Sequence, residues 1–309
     1  MKKILITGAT SMIGVALINE CIKNKTKVLA VVRPGSTHLE RIPESDLITK
    51  VACNLNEIMT IKHYIKDTYD VFYHFGWEGT AKGEREDACF QNKNIYYTLE
   101  SVRLAKDLGC KTFIGAGSQA EYGRVSNIIS PTTPVNPDIA YGVAKYAAGK
   151  LSKILSKELG IKHIWTRIFS VYGAYDNDRT LIMYCIDKML KGEKPLLTKC
   201  EQVWDYLHCQ DAARAFYLIG EKGLDEAIYC IGNGTAKPLH EYVLAMKNAI
   251  DEKLLLGIGE LEYTPNQVMH LCADITSLTE DTGFVPEISF EQGIMETIRW
   301  YKENRLKSI

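Results

Sequence analysis

Along its first 170 residues the chain alternates short apolar runs with longer stretches of helical period. Apolar runs at 4–7, 28–32, 48–53, 71–75, 112–116 and 164–169 read as strands, rich in Val, Ile and Phe. Between them, residues 12–23, 56–67, 86–108 and 140–159 place apolar positions at helical spacing. In the last of these, Ala140, Ala144, Ala147, Ala148, Leu151 and Leu155 are expected to line one packing face. Strands alternating with helices predict βαβ units, hence an α/β fold with a doubly wound parallel sheet and right-handed crossovers. Past residue 170 the alternation fades. Helices are expected at 180–191, 239–250 and 290–304, and one strand at 228–231. The pattern predicts a first domain over 1–170 and a smaller C-terminal α+β lobe over 171–309, with the 228–231 strand rejoining the sheet.

Composition narrows the function classes. The 309 residues are 46% hydrophobic and 24% charged, as in a globular protein. Lys and Arg number 37 against 38 Asp and Glu, so the chain carries no basic footprint for a nucleic-acid backbone, and no nucleic-acid partner is expected. No apolar run approaches the ~18 residues that span a bilayer, so no membrane association is expected. The N-terminal run is short and enters a glycine turn, which reads as a first strand and not a signal peptide. Nine cysteines without a CxxC pair suggest reduced thiols and a cytoplasmic location. Seven scattered histidines form no HxxxH or HExxH pattern, and no metal is expected.

The first strand runs into Thr7-Gly8-Ala9-Thr10-Ser11-Met12-Ile13-Gly14 and then a helix. A strand, a glycine turn and a helix N-terminus suit the pyrophosphate of a dinucleotide. Gly8 permits the tight turn and Gly14 a close helix–strand approach. The first helical N–H groups meet the phosphates. Ser11 stands where a third glycine is common. At the end of the second strand an acid would bind the ribose of NAD; here stand Arg33-Pro34-Gly35-Ser36. Arg33 is a bidentate donor for a 2′-phosphate, and Ser36 adds a hydroxyl, so NADP(H) is expected over NAD(H). Asn54, after the third strand, either reaches the adenine or caps the next helix.

Tyr141-Gly-Val-Ala-Lys145 places a phenol and an ammonium on one helix face. A nearby ammonium favours the phenolate and would lower the phenol's usual pKa of about 10, which suits general acid–base work. Ser118 ends the fifth strand, where its hydroxyl is expected to hydrogen-bond a substrate carbonyl or hydroxyl.

The ordered set of motifs resembles the extended short-chain dehydrogenase/reductase superfamily of NAD(P)-dependent sugar-nucleotide epimerases, dehydratases and reductases. It comprises the TGxxxxxG turn, Asp70-Val-Phe-Tyr-His74-Phe-Gly, Asn94, Ser118 with Tyr141xxxLys145, Arg167-Ile-Phe-Ser-Val-Tyr172-Gly173, Trp204-Asp205-Tyr206-Leu-His208, Ala273-Asp274-Ile275 and Gly283-Phe-Val-Pro286. The resemblance covers nearly the whole chain and implies a Rossmann-like fold with a C-terminal lobe for the nucleotide-sugar. It implies catalytic Ser118, Tyr141 and Lys145. It implies a cofactor bed from Gly8, Thr10, Ser11, Met12, Ile13 and Gly14, from Arg33, Ser36, Asn54 and Leu55, and from Phe75, Gly76, Asn94, Tyr141, Lys145 and Ile168. It implies substrate contacts from Trp77, Ser118, Gln119, Ser170 and Trp204, a nucleotide-sugar substrate, and a homodimer through the helices carrying Asn94 and Tyr141.

Departures from the family pattern narrow the expected activity. The family's 4,6-dehydratases carry Thr-Asp-Glu where this chain has Ser118-Gln119-Ala120, and its fucose-synthase branch puts a cysteine at the Ala120 position. Ser170 replaces an asparagine, and Trp204 and Gln267 stand where relatives place arginines; Lys199 or Arg179 is left as the alternative for a diphosphate. The expected function is an NADP(H)-dependent oxidoreductase that reduces a 4-keto-6-deoxy sugar nucleotide at C4. The alternatives are a nucleotide-sugar 4-epimerase and, from another class, a non-catalytic binding protein of the same fold.

Overall fold

The structure, a computed structural model, describes residues 1–81 and 83–306; the last three residues of the predicted C-terminal lobe lie outside them. In chain order the elements of the first half are β1 (Lys3–Thr7), α1 (Met12–Lys23), β2 (Lys27–Val32), β3 (Ile48–Ala52), β4 (Val71–His74), α2 (Ala88–Asp107), β5 (Thr112–Ser118), α3 (Ala140–Leu159) and β6 (Lys162–Ile168). The second half adds β7 (Ser170–Tyr172), α4 (Leu181–Leu190), β8 (Leu196–Leu197), β9 (Val203–Trp204), β10 (Tyr206–His208), α5 (Cys209–Lys222) and β11 (Ile228–Ile231). After these come β12 (Lys237–Pro238), α6 (Leu239–Ile250), β13 (Gly257–Ile258), β14 (His270–Leu271), α7 (Thr276–Thr282) and α8 (Phe290–Asn304).

Seven strands form one parallel sheet in the order β11-β6-β5-β4-β1-β2-β3, a Rossmann-like α/β fold. Its inner strands are apolar on both faces because helices cover both, while the edge strand β3 exposes Thr49 and Lys50. On one face Ile4, Ile6, Val28 and Ala30 meet Leu17 and Ile18 of α1 and Phe216 and Ile219 of α5. On the other, Leu5, Leu29, Phe72 and Phe113 meet Val102 and Ala105 of α2. The chain steps outward from β1 to β3, then returns to β4 on the other side of β1. That reversal opens a crevice at the carboxyl ends of β1 and β4. The second lobe packs α4, α6 and α8 around Ile182, Ile186, Val243, Met246, Ile294 and Ile298.

Several expectations need correction. Residues 56–67 do not form an α-helix; Leu55–His63 is 3₁₀. Ile58 and Ile61, both fully buried, are three apart and therefore stack on one side of a three-residue turn. The helix α5 and the short strands of the second lobe are elements the hydrophobic pattern above does not pick out. On α3 the predicted apolar stripe straddles the true boundary. Ala144 and Ala148 are buried, but Leu151 is 43% exposed. The inner face also holds Gly142, Lys145, Gly149, Ser152 and Ser156. Small residues are required there: a Cβ on Gly149 would lie 2.6 Å from the Trp165 ring.

Candidate active site

The glycine turn is built from strand ends. Gly8 has a φ of +68°, and a Cβ there would sit 2.7 Å from the Phe75 carbonyl carbon. A Cβ on Gly14 would lie 2.4 Å from the Gly8 oxygen, so α1 can approach β1 this closely only with glycine at that position. Ser11 is the N-cap of α1, its Oγ accepting the Gly14 N–H at 3.1 Å. Thr7 ties β1 to β4: its Oγ1 accepts the Gly76 N–H at 3.1 Å and lies 2.9 Å from His74 Nδ1. Burial pushes the pKa of His74 down to about 3, so its ring is neutral.

A cavity of about 360 Å³ opens above this turn, lined by Gly8, Thr10, Ser11, Arg33, Ser36, Asn54, Leu55, Phe75 and Gly76. Nine of the predicted cofactor residues therefore meet in one place. Trp77, expected to contact substrate, also lines this cavity, as do His38 and Arg41, which the motifs do not single out. The Arg41 guanidinium reaches the Thr10 carbonyl at 3.4 Å. Arginines, a capped helix N-terminus and two glycines that bring backbone close together form a donor set that fits a dinucleotide phosphate.

A second compartment of about 410 Å³ adjoins it, lined by Met12, Ile13, Trp77, Ser118, Gln119, Tyr141, Lys145, Ile168 and Asp176, among others. Lys145 is 4% exposed. Its Nζ donates to the Ala116 carbonyl at 2.6 Å and sits 3.7 Å over the Trp77 ring. Burial lowers its pKa to about 7. The Trp77 ring meets the Tyr141 ring edge-on at 6.0 Å, and the Arg85 guanidinium covers Tyr141 at 4.1 Å. The order is therefore cation, aromatic, aromatic, cation: Arg85, Tyr141, Trp77, Lys145.

This order corrects the expected electrostatics. Burial raises the Tyr141 pKa, and the groups that pull it back down are Arg85 and the Ser118 hydroxyl. Lys145 lies 5.7 Å from the Tyr141 ring and points its ammonium at Ala116 and Trp77. Asn94 is also corrected. It lines neither compartment. Its amide brackets the backbone of Glu78, accepting the N–H at 2.8 Å and donating to the carbonyl at 2.9 Å. Gly14 likewise lines neither compartment; it permits the close approach of α1 to β1, and its N–H donates to the Ser11 cap of that helix.

A larger cavity of about 820 Å³ separates the lobes, with Ser170, Trp204, Gln267, Arg85, Arg179 and Asp176 on its wall. Ser170 and Trp204, both expected to touch substrate, are hydrogen-bonded to each other, indole Nε1 to Oγ at 2.7 Å. Arg179 lines this cavity and Lys199 does not. Asp176 borders both this cavity and the compartment of Ser118, Tyr141 and Lys145. Its carboxylate accepts the Asn177 N–H at 2.7 Å and the Thr180 hydroxyl at 3.0 Å, and burial pushes its pKa up to about 6. Arg85, Arg41 and Asp176 carry no motif; only their placement around the crevice reveals them. Among the described residues no cluster of His, Cys, Asp or Glu could hold a metal, and no helix is long and apolar enough to cross a membrane.

A Rossmann-like sheet with a phosphate turn and a Ser–Tyr–Lys set at its carboxyl edge defines a dinucleotide-dependent enzyme. The chain belongs to the NAD dependent epimerase/dehydratase family, whose model matches residues 4–232. It is 25% identical, over the full length of both chains, to a dTDP-glucose 4,6-dehydratase of Haemophilus influenzae. Among solved structures it resembles a UDP-N-acetylglucosamine 4-epimerase from Methanobrevibacter ruminantium, with a TM-score of 0.88 at 20% identity and 98% coverage of each chain. It also resembles a dTDP-glucose 4,6-dehydratase from Bacillus anthracis in complex with NAD, with a TM-score of 0.85 at 21% identity, covering 99% of this chain and 98% of that one.

Proposed function

We propose that this enzyme is an NADP(H)-dependent reductase of a 4-keto-6-deoxy sugar nucleotide. The observation that carries the reading is the compartment joining Ser118, Tyr141 and Lys145 to the dinucleotide cavity on one side and the inter-lobe cavity on the other. When bound, the nicotinamide supplies the hydride. Ser118 Oγ hydrogen-bonds the substrate carbonyl oxygen, and the Tyr141 phenol gives that oxygen its proton. Lys145 would hold the cofactor ribose. Gly8, Ser11 and the N–H groups of α1 would hold the pyrophosphate, and Arg33 with Arg41 a 2′-phosphate.

Dehydration is disfavoured on chemical grounds. Eliminating water needs an acid–base pair beside the polarised carbonyl, and Gln119 and Ala120 supply none. The next carboxylate, Glu121, is fully buried and paired with Arg167. A second reading, nucleotide-sugar 4-epimerase, is favoured by the likeness to the archaeal epimerase. The cofactor's fate separates the two. A reductase consumes one NADPH per keto-sugar reduced. An epimerase interconverts 4-epimers on its resident cofactor with no net redox change. Interconversion without NADPH consumption assigns the chain to the epimerases.

The homodimer belongs to the same proposal. Val143, Leu151 and Ile154 share the outward side of α3 and are 50%, 43% and 65% exposed; Tyr96 on the adjoining α2 is 55% exposed. Such a patch suits a second copy. Light scattering should give twice the chain mass of 34.8 kDa, and Ile154→Lys should halve it.

A further inference from the structure

Arg85 and Arg179 are the two guanidinium groups on the inter-lobe cavity. Neither forms an ion pair among the described residues, whereas Arg103, Arg124, Arg167, Arg214 and Arg305 all do. Arg85 alone of the two also lines the catalytic compartment. Its planar face is used by the Tyr141 ring, 4.1 Å away. A guanidinium stacked in this way keeps its N–H donors along its edge, directed past the ring.

Its position is fixed from behind. The Arg85 carbonyl accepts the Tyr141 N–H at 2.9 Å, at the head of α3. Gln91 of α2, fully buried, donates to the carbonyls of Gly79 at 2.6 Å and Glu84 at 3.0 Å and accepts the Trp77 indole N–H at 2.8 Å. Asn94 holds Glu78 from the same helix. Trp77, Glu78, Gly79, Glu84 and Arg85 are thus fastened to α2 and α3. Among the described residues the cavity's only acidic lining residue, Asp176, is hydrogen-bonded to Asn177 and Thr180 and makes no ion pair with Arg85. A cation preset at the mouth of the catalytic compartment, with its donors unclaimed by carboxylate, is built for an anion brought by the ligand.

We propose that Arg85 is the anion anchor of the active site: its guanidinium edge binds a phosphate of the substrate while its face holds the Tyr141 ring. The proposal rests on the sugar-nucleotide reading above. One side chain then sets the distance between the substrate's charged group and the acid–base phenol.

Calorimetric titration tests this on the full chain, with the glycine turn saturated by NADP⁺ and, in parallel, by NAD⁺. The probes are uridine diphosphate, thymidine diphosphate and inorganic pyrophosphate. Arg85→Met should weaken the tightest-binding probe by about 10- to 150-fold, the value of a charge-assisted contact, without moving the thermal midpoint. Arg85→Lys keeps the charge, loses the fork, and should bind roughly 3- to 10-fold less tightly than wild type. It also decides the matter if Arg85→Met does not fold. Wild-type affinity in either variant overturns the anchor while leaving the sugar-nucleotide reading intact. Binding of pyrophosphate alone, lost in Arg85→Met, upholds the anchor and overturns the sugar-nucleotide reading. No binding of any probe by wild type overturns the anchor.

Discussion

The Glu121 carboxylate accepts the backbone N–H of Ser118 at 2.9 Å, so a buried charge fixes the strand end that presents the Ser118 hydroxyl. The same oxygen takes the Trp165 indole at 2.9 Å, and the other oxygen takes Arg167 Nε at 2.8 Å. Removing one member of a fully buried pair strands its partner in low dielectric and costs about 3–5 kcal/mol. Glu121→Ala should lose about that much in urea unfolding, and turnover should fall with it. Glu121→Leu combined with Arg167→Met should recover much of the stability but not the activity, because the Ser118 N–H stays unpaired.

Tyr141→Phe keeps the ring between Arg85 and Trp77 and removes the proton. General acid catalysis contributes about 10²–10⁴-fold, so kcat should drop by that factor with cofactor affinity nearly unchanged. Turnover at the wild-type level, under conditions where chemistry limits the rate, would remove Tyr141 from the mechanism.

Arg33 is exposed at the end of β2, and Ser36, His38 and Arg41 line the same cavity. NADPH should bind more tightly than NADH, by roughly 10- to 150-fold if the 2′-phosphate takes a bidentate contact. Arg33→Asp should invert the order. Fluorescence titration with both cofactors measures it, and equal affinities in the wild type would refute the preference.

Asp176 makes stability depend on pH in a defined window. Burial raises its carboxyl from an ordinary 3.8 to about 6. Between those values the folded chain holds a proton that the unfolded chain has released. Its stabilisation is therefore present below the window and lost as pH rises through it. Asp176→Asn should unfold later than wild type at pH 7, by about 1–3 kcal/mol, and match it near pH 4. An equal difference at both pH values would place the carboxyl pKa outside the window.

The parallel sheet was legible because five of its first six strands are apolar runs that enter or leave a helix; only the edge strand β3, with Thr49 and Lys50 exposed, departs from that pattern. The glycine turn and the Tyr141–Lys145 pair were legible because their spacing has a mechanical meaning. The inner face of α3 was not, since Gly142, Gly149, Ser152 and Ser156 pack by being small, and a search for apolar residues passes over them. Arg85 was hidden for another reason. It lies in an irregular segment, and its partner Tyr141 is far away in sequence. The electrostatics of Lys145 were misread from spacing alone: the two side chains share a helix face, but Trp77 and the Ala116 carbonyl claim the ammonium.

The main sheet is closed by β11, which returns from the second half of the chain to pair residue by residue with Trp165, Thr166, Arg167 and Ile168. Tyr229 and Ile231 of that strand belong to the core laid down by α1 and α5. A chimera that exchanges everything after residue 170 with a relative would therefore also exchange the edge of the cofactor-binding sheet. A crossover scheme that swaps specificity while sparing the sheet needs three junctions, near residue 170, ahead of α5 and after β11, with α5 and β11 retained from the host.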